Sequence, residues 1–205
     1  MAVSTFASIE KLRKPLSKAI AIPLIFAALV TVPKNLGNGF HETLEQIGYL
    51  LLITAGIGRI WCSLYIAGRK DQTLCTEGPY SLCRNPLYLF SFIGVAGVFL
   101  ALQSLLLTAI AVVFYLLYYS YVIRCEEKRL LNIFGAPFST YMTVVPRFIP
   151  SFSNYNSGAE ERMTSTKVIE RGLREVVWFF IAIVLIEIVE VIHLNDLMVL
   201  YVLPF

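Results

Sequence analysis

At 205 residues, 57% hydrophobic, 15% charged and with a mean hydropathy of +0.70, the chain departs from the composition of an ordinary soluble domain. It reads as an all-α, polytopic membrane helical bundle, with apolar runs for about five transmembrane helices of ~20 residues each. A net charge of +3 carries little information by itself, and no nucleic-acid partner is expected.

Taken in order, residues 4–14 have Phe6, Ile9 and Leu12 on one side and Lys11, Arg13 and Lys14 on the other, a pattern for a short interfacial helix or a basic tail. A first span is expected from about Leu16 to Val32, ending at Pro33. It is followed by no small-x-small cleavage pattern, so it is read as a retained anchor. A second span covers about Leu44 to Ile66 and holds Arg59, which either snorkels to the interface, the favoured reading, or lines a site. Residues 1–66 thus form an N-terminal unit.

Residues 67–150 form the centre of the chain. The segment Gln72–Tyr88, QTLCTEGPYSLCRNPLY, is polar and turn-rich, with breaks expected at Glu77-Gly78-Pro79 and Asn85-Pro86. Spans three and four follow at about Leu87–Leu102 and Leu105–Ile123, joined by a tight hairpin at Gln103-Ser104. Gly94 and Gly97 give span three a small-residue face for close helix packing. Tyr115, Tyr118, Tyr119 and Tyr121 suit an interfacial aromatic belt. Beyond span four come the adjacent carboxylates Glu126 and Glu127, an amphipathic helix to Phe134, a turn at Gly135-Ala136-Pro137 and the extended VPRFIP of Val145–Pro150.

Residues 151–205 comprise a polar connection to about residue 174, a fifth span from Val176 to about Ile192, and an apolar end that can return to the interface. In that span Glu187, Glu190 and His193 fall at i, i+3 and i+6. Hydrogen-bonded packing with at least one protonated Glu is the preferred reading, and no metal site is assigned. Cys62, Cys75, Cys83 and Cys125 contain no C-x-x-C pair and are expected to be reduced and structural.

The inner segments of this topology hold 15 Lys and Arg residues and the outer ones a single Lys34, with Arg59 inside a span. Under the positive-inside rule the N-terminus and the two polar segments around Tyr80 and Glu126 face the cytoplasm, and the C-terminus lies on the opposite side.

The ordered set T-x-G-P-Y (Thr76–Tyr80), R-N-P-x-Y (Arg84–Tyr88), an apolar hairpin, and E-E-x-x-L-x-x-x-F-G-x-x-F-x-x-Y (Glu126–Tyr141) ending in VPRFIP resembles the integral-membrane methyltransferases of the isoprenylcysteine carboxyl methyltransferase and phospholipid methyltransferase superfamily. The match covers roughly residues 68–150. The resemblance implies S-adenosyl-L-methionine as cofactor, without a Rossmann domain, and no G-x-G-x-x-G motif is present. Carried over, it points to cofactor contacts from Gln72, Thr73, Leu74, Cys75, Tyr80, Arg84, Asn85, Pro86, Leu87, Tyr88, Glu126 and Glu127. Glu127, Arg124 and Tyr88 are the candidate catalytic residues, for proton removal or orientation of the acceptor. Two departures stand out: Asn85 replaces the family's R-H-P histidine and Gln72 the upstream histidine, so neither position offers an imidazole. The arginine that isoprenylcysteine enzymes place four residues before the first Glu is Val122 here, with Arg124 two positions away.

The implied function is methyl transfer to a lipophilic or membrane-associated acceptor: a phospholipid-type amine, a prenylated carboxylate or a small thiol. The competing readings are a non-catalytic lipid-binding protein on the same scaffold and a related membrane reductase. The partners expected are the lipid bilayer and a lipophilic or lipid substrate, and the sequence assigns no oligomeric state.

Overall fold

The structure, a computed structural model, describes residues 19, 21–33, 38–69, 71–158, 166–195 and 201–203. The amphipathic stretch expected at residues 4–14 lies outside them. The described chain runs α1 (Ala21–Val30), β1 (Thr31–Pro33), α2 (Gly39–Ile66), α3 (Pro79–Leu82), α4 (Pro86–Ala101), α5 (Leu105–Phe134), α6 (Ala136–Val144), a 3-10 turn at Phe152–Asn154, α7 (Thr166–Leu194) and β2 (Tyr201–Leu203).

The protein is a helical membrane bundle. Among the described residues α2, α5 and, over Gly172–Leu194, α7 are long and apolar enough to cross a bilayer; α1 and α4 are apolar but shorter. Their outer faces carry exposed large apolar residues such as Leu50, Ile57, Phe114, Leu117, Trp178 and Leu185, a surface suited to lipid rather than water. Thr31–Pro33 and Tyr201–Leu203 pair in parallel, so the apolar C-terminal segment meets the end of the first apolar run as a strand.

Local chemistry sets the helix boundaries. Asn38 caps α2, its side-chain oxygen accepting from Phe40 N at 3.1 Å and His41 N at 3.0 Å. Gly78 (φ +58°) and Gly135 (φ +57°) adopt the positive φ that glycine tolerates, and Pro79, Pro86 and Pro137 sit in the first turns of α3, α4 and α6. A side chain at Gly78 would also collide with the Tyr65 ring. The α4–α5 hairpin is Leu102–Ser104, with Gln103 at φ +58°.

Helix α4 packs most closely on α2 because glycines remove side-chain bulk from the contact. A Cβ on Gly97 would stand 2.9 Å from Gly48 O and 3.1 Å from Leu52 N, and one on Gly48 would overlap Ala101. Leu52, Ala101 and Ile186 bring α2, α4 and α7 into one buried cluster; Ala28, Phe99, Leu107 and Ala111 seat α1 against α4 and α5.

Three boundaries differ from expectation. Helix α5 continues through Ile123 to Phe134 without a break, so Glu126 and Glu127 ride on a rigid extension of the span. Helix α7 begins at Thr166, ten positions before the apolar run does, because helix propagates through polar residues once a packed span anchors it. Finally, residues 151–158 dock rather than merely connect: Ser151 N donates to Leu82 O at 2.9 Å and Gly78 N to Asn156 O at 2.7 Å.

Candidate active site

At the end of the bundle formed by the C-terminal part of α2, the N-terminal part of α4 and the extension of α5 lies a cavity of about 740 Å³. Its wall is built from both halves of the sequence pattern. The loop after α2 contributes Thr73, Leu74 and Cys75, and α3 and the turn into α4 contribute Tyr80, Arg84, Asn85, Pro86, Leu87 and Tyr88. Helix α5 adds Glu126. Of the expected cofactor residues, Gln72 and Glu127 do not reach this wall.

Glu127 is instead the buried tie between the segments, at 5% exposure. Its Oε1 accepts from Arg84 Nε at 3.1 Å and Asn85 Nδ2 at 3.2 Å, and its Oε2 accepts from Arg147 Nε at 2.9 Å, with Arg147 Nη2 at 2.8 Å. Arg84 spends its Nη1 on Met142 O at 2.6 Å and Val145 O at 2.9 Å, and Asn85 Nδ2 also reaches Arg147 O at 3.1 Å. The R-N-P segment, the second Glu and the VPRFIP segment are thereby locked into one network, and Asn85 makes hydrogen bonds that need no imidazole.

Glu126 points the other way, into the cavity. It pairs with Arg129, whose Nη2 lies 2.8 Å from Glu126 Oε1 and 2.9 Å from Asp71 Oδ1, and all three groups line the wall. The result is a cation held between two carboxylates on the wall of a chamber that mixes polar groups with apolar and aromatic side chains. Neither Arg129 nor Asp71 is among the candidate residues of the sequence pattern, and the placement of Asp71 by a φ of 63° in the loop before Gln72 has no sequence signature.

The aromatic wall is denser than a belt requires. Tyr115 and Tyr119 stack at 4.1 Å and 17°, Tyr88 lies 5.6 Å from Tyr119, and Tyr115 Oη donates to Tyr88 O at 2.8 Å. Tyr119 faces the cavity while Tyr121 is exposed, so the tyrosines divide between lining and surface. Tyr141 donates to Tyr80 O at 2.6 Å, fixing α6 under α3. The Tyr80 hydroxyl is buried on the cavity wall without a protein partner. Burial raises the Tyr80 phenol well above its ordinary range and pushes the Cys83 thiol up to about 11, so both stay protonated at neutral pH.

Arg59 lines the cavity and donates to Ser91 Oγ at 2.6 Å, the second of the two places the sequence allowed it rather than the favoured one: α4 offers it a polar partner. Arg124 lies on a neighbouring hollow of about 160 Å³ with Arg147, Phe148 and Tyr119, and Tyr119 is common to both chambers. Gly172 of α7 also reaches the main wall.

The phospholipid methyltransferase family model matches residues 47–137, which spans α2 through the start of α6. The chain is 37% identical over 157 residues to the cobalt-zinc-cadmium resistance protein CzcN of Cupriavidus metallidurans, covering 77% of this chain and 72% of that one. It is 33% identical over 172 residues to the nickel-cobalt-cadmium resistance protein NccN of Alcaligenes xylosoxydans xylosoxydans, covering 83% and 80%. Over 81 residues it is 32% identical to the protein-S-isoprenylcysteine O-methyltransferase of Schizosaccharomyces pombe, covering 40% and 34%. No solved structure matches significantly. By sequence pattern, family match and relatives together, the chain belongs to the superfamily of integral-membrane methyltransferases that includes the phospholipid and isoprenylcysteine carboxyl methyltransferases.

Proposed function

We propose that the protein is an S-adenosylmethionine-dependent methyltransferase acting on a lipophilic or membrane-associated acceptor. The observation that carries this reading is the cavity of about 740 Å³ walled by both motif segments, within the ~300–1,000 Å³ usual for small-molecule sites. Its donor set fits the cofactor. Arg129 offers a fork for a carboxylate, Glu126 and Asp71 offer acceptors for an ammonium or ribose hydroxyls, and the buried Tyr80 hydroxyl awaits a hydrogen-bond partner.

S-adenosylmethionine, when bound, supplies an electrophilic sulfonium methyl that bonds to the acceptor's lone pair while the carbon–sulfur electron pair stays on sulfur. The chain's own part is positioning and exclusion of water. Tyr88 and Tyr119 line the chamber, where aromatic rings attract a bound cation. Glu127 acts as a positioning residue: both its oxygens are engaged by Arg84, Asn85 and Arg147, leaving it poorly placed to take a proton. That favours acceptors that arrive with a free lone pair, a carboxylate or thiolate, over a protonated amine. Arg124, in the hollow shared through Tyr119, suits the anionic head of such an acceptor. On this reading the cavity faces the cytoplasm, as the 15-to-1 distribution of Lys and Arg supports.

The test is transfer of labelled methyl groups from S-adenosylmethionine to membrane lipids, prenylated peptides and small thiols by the purified protein. Label in one class establishes the reading and the acceptor. Two relatives bear metal-resistance names, so growth of cells with and without the protein in cobalt, zinc, nickel and cadmium is the companion assay. Asn85 at the family's His position supports one other reading, a scaffold that binds ligand without transfer. It predicts saturable cofactor binding with no labelled product.

A further inference from the structure

The smaller hollow of about 160 Å³ beside the main chamber follows one face of one helix. Tyr115, Leu116, Tyr119, Ser120, Ile123 and Arg124 recur at i, i+1, i+4, i+5, i+8 and i+9, a single stripe of α5 about 13 Å long at ~1.5 Å per residue. Arg147 and Phe148, from the segment after α6, complete the lining. The stripe is graded in polarity, with Tyr115 and Leu116 inside the apolar run of α5 and Arg124 where that run ends. Phe92 lies 5.5 Å from Tyr115 and 5.9 Å from Phe148, so aromatic rings back the apolar end. Leu116 lines the hollow yet is 42% exposed, beside Leu117 at 69%, so this end opens on the lipid-facing side of α5.

The other end carries positive charge that the protein leaves unneutralised. No carboxylate among the described residues pairs with Arg124, and Glu126, two positions on, is engaged by Arg129. Arg147 shares Glu127 with Arg84, so two guanidinium cations meet a single carboxylate and one positive charge is left over. Arg147 spends Nε and Nη2 on that carboxylate, which leaves Nη1 for a further acceptor on a side chain that is 50% exposed. Two guanidinium groups with unspent N–H donors at one site suit an oxyanion, a carboxylate or a phosphate, whose geometry the arginine fork matches.

We propose that this hollow binds the anionic headgroup, a carboxylate or a phosphate, of an amphiphile drawn from the bilayer, with the start of its chain along Tyr115 and Leu116. The polarity gradient carries the inference: a water-soluble anion gains nothing from an apolar end open to lipid, and a neutral lipid gains nothing from two arginines. At about 160 Å³, below the ~300–1,000 Å³ of a drug-sized site, the hollow admits a headgroup and the first carbons of a chain, so the rest of the chain stays in the membrane. Tyr119 is a wall of both chambers, which holds the bound headgroup beside the main cavity. On the function proposed above, this narrows the methyl acceptor to anionic amphiphiles; that step rests on the methyltransferase reading, and the binding itself does not.

The experiment is equilibrium binding, without S-adenosylmethionine, of a fatty acid and a phosphatidic acid, each labelled with pyrene at the chain end, to the full-length protein in neutral detergent. Fluorescence anisotropy reads binding; helical circular dichroism and elution volume report folding. The expected result is saturable binding of at least one probe, displaced by its unlabelled form but not by phosphatidylcholine or inorganic phosphate, and weakened at least tenfold by Arg124→Gln. The tighter probe tells carboxylate from phosphate. Arg124 is exposed and takes part in no ion pair, so its substitution should leave folding intact; Ser120→Phe, which fills the hollow from an exposed position, is the second variant and should weaken binding likewise. Lys128→Gln, an exposed cation of α5 outside the hollow, should leave binding unchanged. Equal displacement by inorganic phosphate overturns the proposal in favour of a simple anion site, and equal loss in Lys128→Gln overturns it in favour of diffuse surface charge. Absence of saturable binding to the folded wild type overturns it outright. With no cofactor present, failure here leaves the methyltransferase reading standing, and failure of methyl transfer leaves this site standing.

Discussion

Asn85 Nδ2 donates to Glu127 Oε1 at 3.2 Å, joining the R-N-P turn to the second residue of the Glu-Glu pair across 42 positions of sequence. Through this bond, and the Arg84 and Arg147 bonds to the same carboxylate, the two motif segments hold their register on either side of the cavity.

Glu127→Gln is expected to destabilise the fold by about 3–5 kcal/mol, the cost of leaving buried charge unpaired after one partner is removed. Asn85→Ala costs less, about 1–3 kcal/mol. Asn85→Asp is worse than Asn85→Ala because it sets a second carboxylate against Glu127. Thermal unfolding in detergent, followed by circular dichroism, orders the three.

Arg129→Gln releases Asp71 and Glu126 together. These groups are partly exposed, with side-chain exposures of 25%, 42% and 33%, so global stability should change by less than about 1 kcal/mol. Amide exchange in the loop after α2 should nonetheless rise around residue 71. Unchanged exchange would show that the loop does not depend on this anchor.

Gly48→Ala and Gly97→Ala force side chains into the α2–α4 contact and are expected to cost about 1–3 kcal/mol each by overpacking. Gly39→Ala, with nothing within 4 Å of the added carbon, is the control that leaves the melting temperature nearly unchanged.

Cys83 is 1% exposed and its thiol is pushed up to about 11 by burial, so the folded protein should resist alkylation there at pH 8, whereas the partly exposed Cys125 reacts first. Mass spectrometry of labelled peptides reads the order. The sign for stability follows: folding holds the Cys83 proton more tightly than the unfolded chain, whose thiol has the ordinary value of 9.0. The stability tied to that proton is full below about pH 9 and is lost as the pH rises towards 11.

Much of this was legible in the sequence because it depends on local chemistry. Gly78-Pro79, Asn85-Pro86 and Gly135-Pro137 mark turns wherever they occur, and each falls at a helix boundary. Gly94 and Gly97 announced close packing, and Gly97 does face the α2 backbone. The pairings between distant segments were not legible. Arg147 lies 20 residues from Glu127, and Glu45 lies 142 from Glu187, separations at which a single chain carries no signature of contact. The same holds for Arg59, whose partner Ser91 is visible only once α2 and α4 are packed.

The most direct test of the central claim is equilibrium binding of S-adenosylmethionine to detergent-purified protein, with Glu126→Gln beside the wild type. Glu126 lines the cavity without belonging to the buried Glu127 network, so its substitution separates ligand recognition from folding. Saturable binding by the wild type, weakened about tenfold or more in the variant through loss of a charged hydrogen bond worth ~1.5–3 kcal/mol, is the predicted result. A folded, monodisperse wild type that shows no saturable binding would contradict the account.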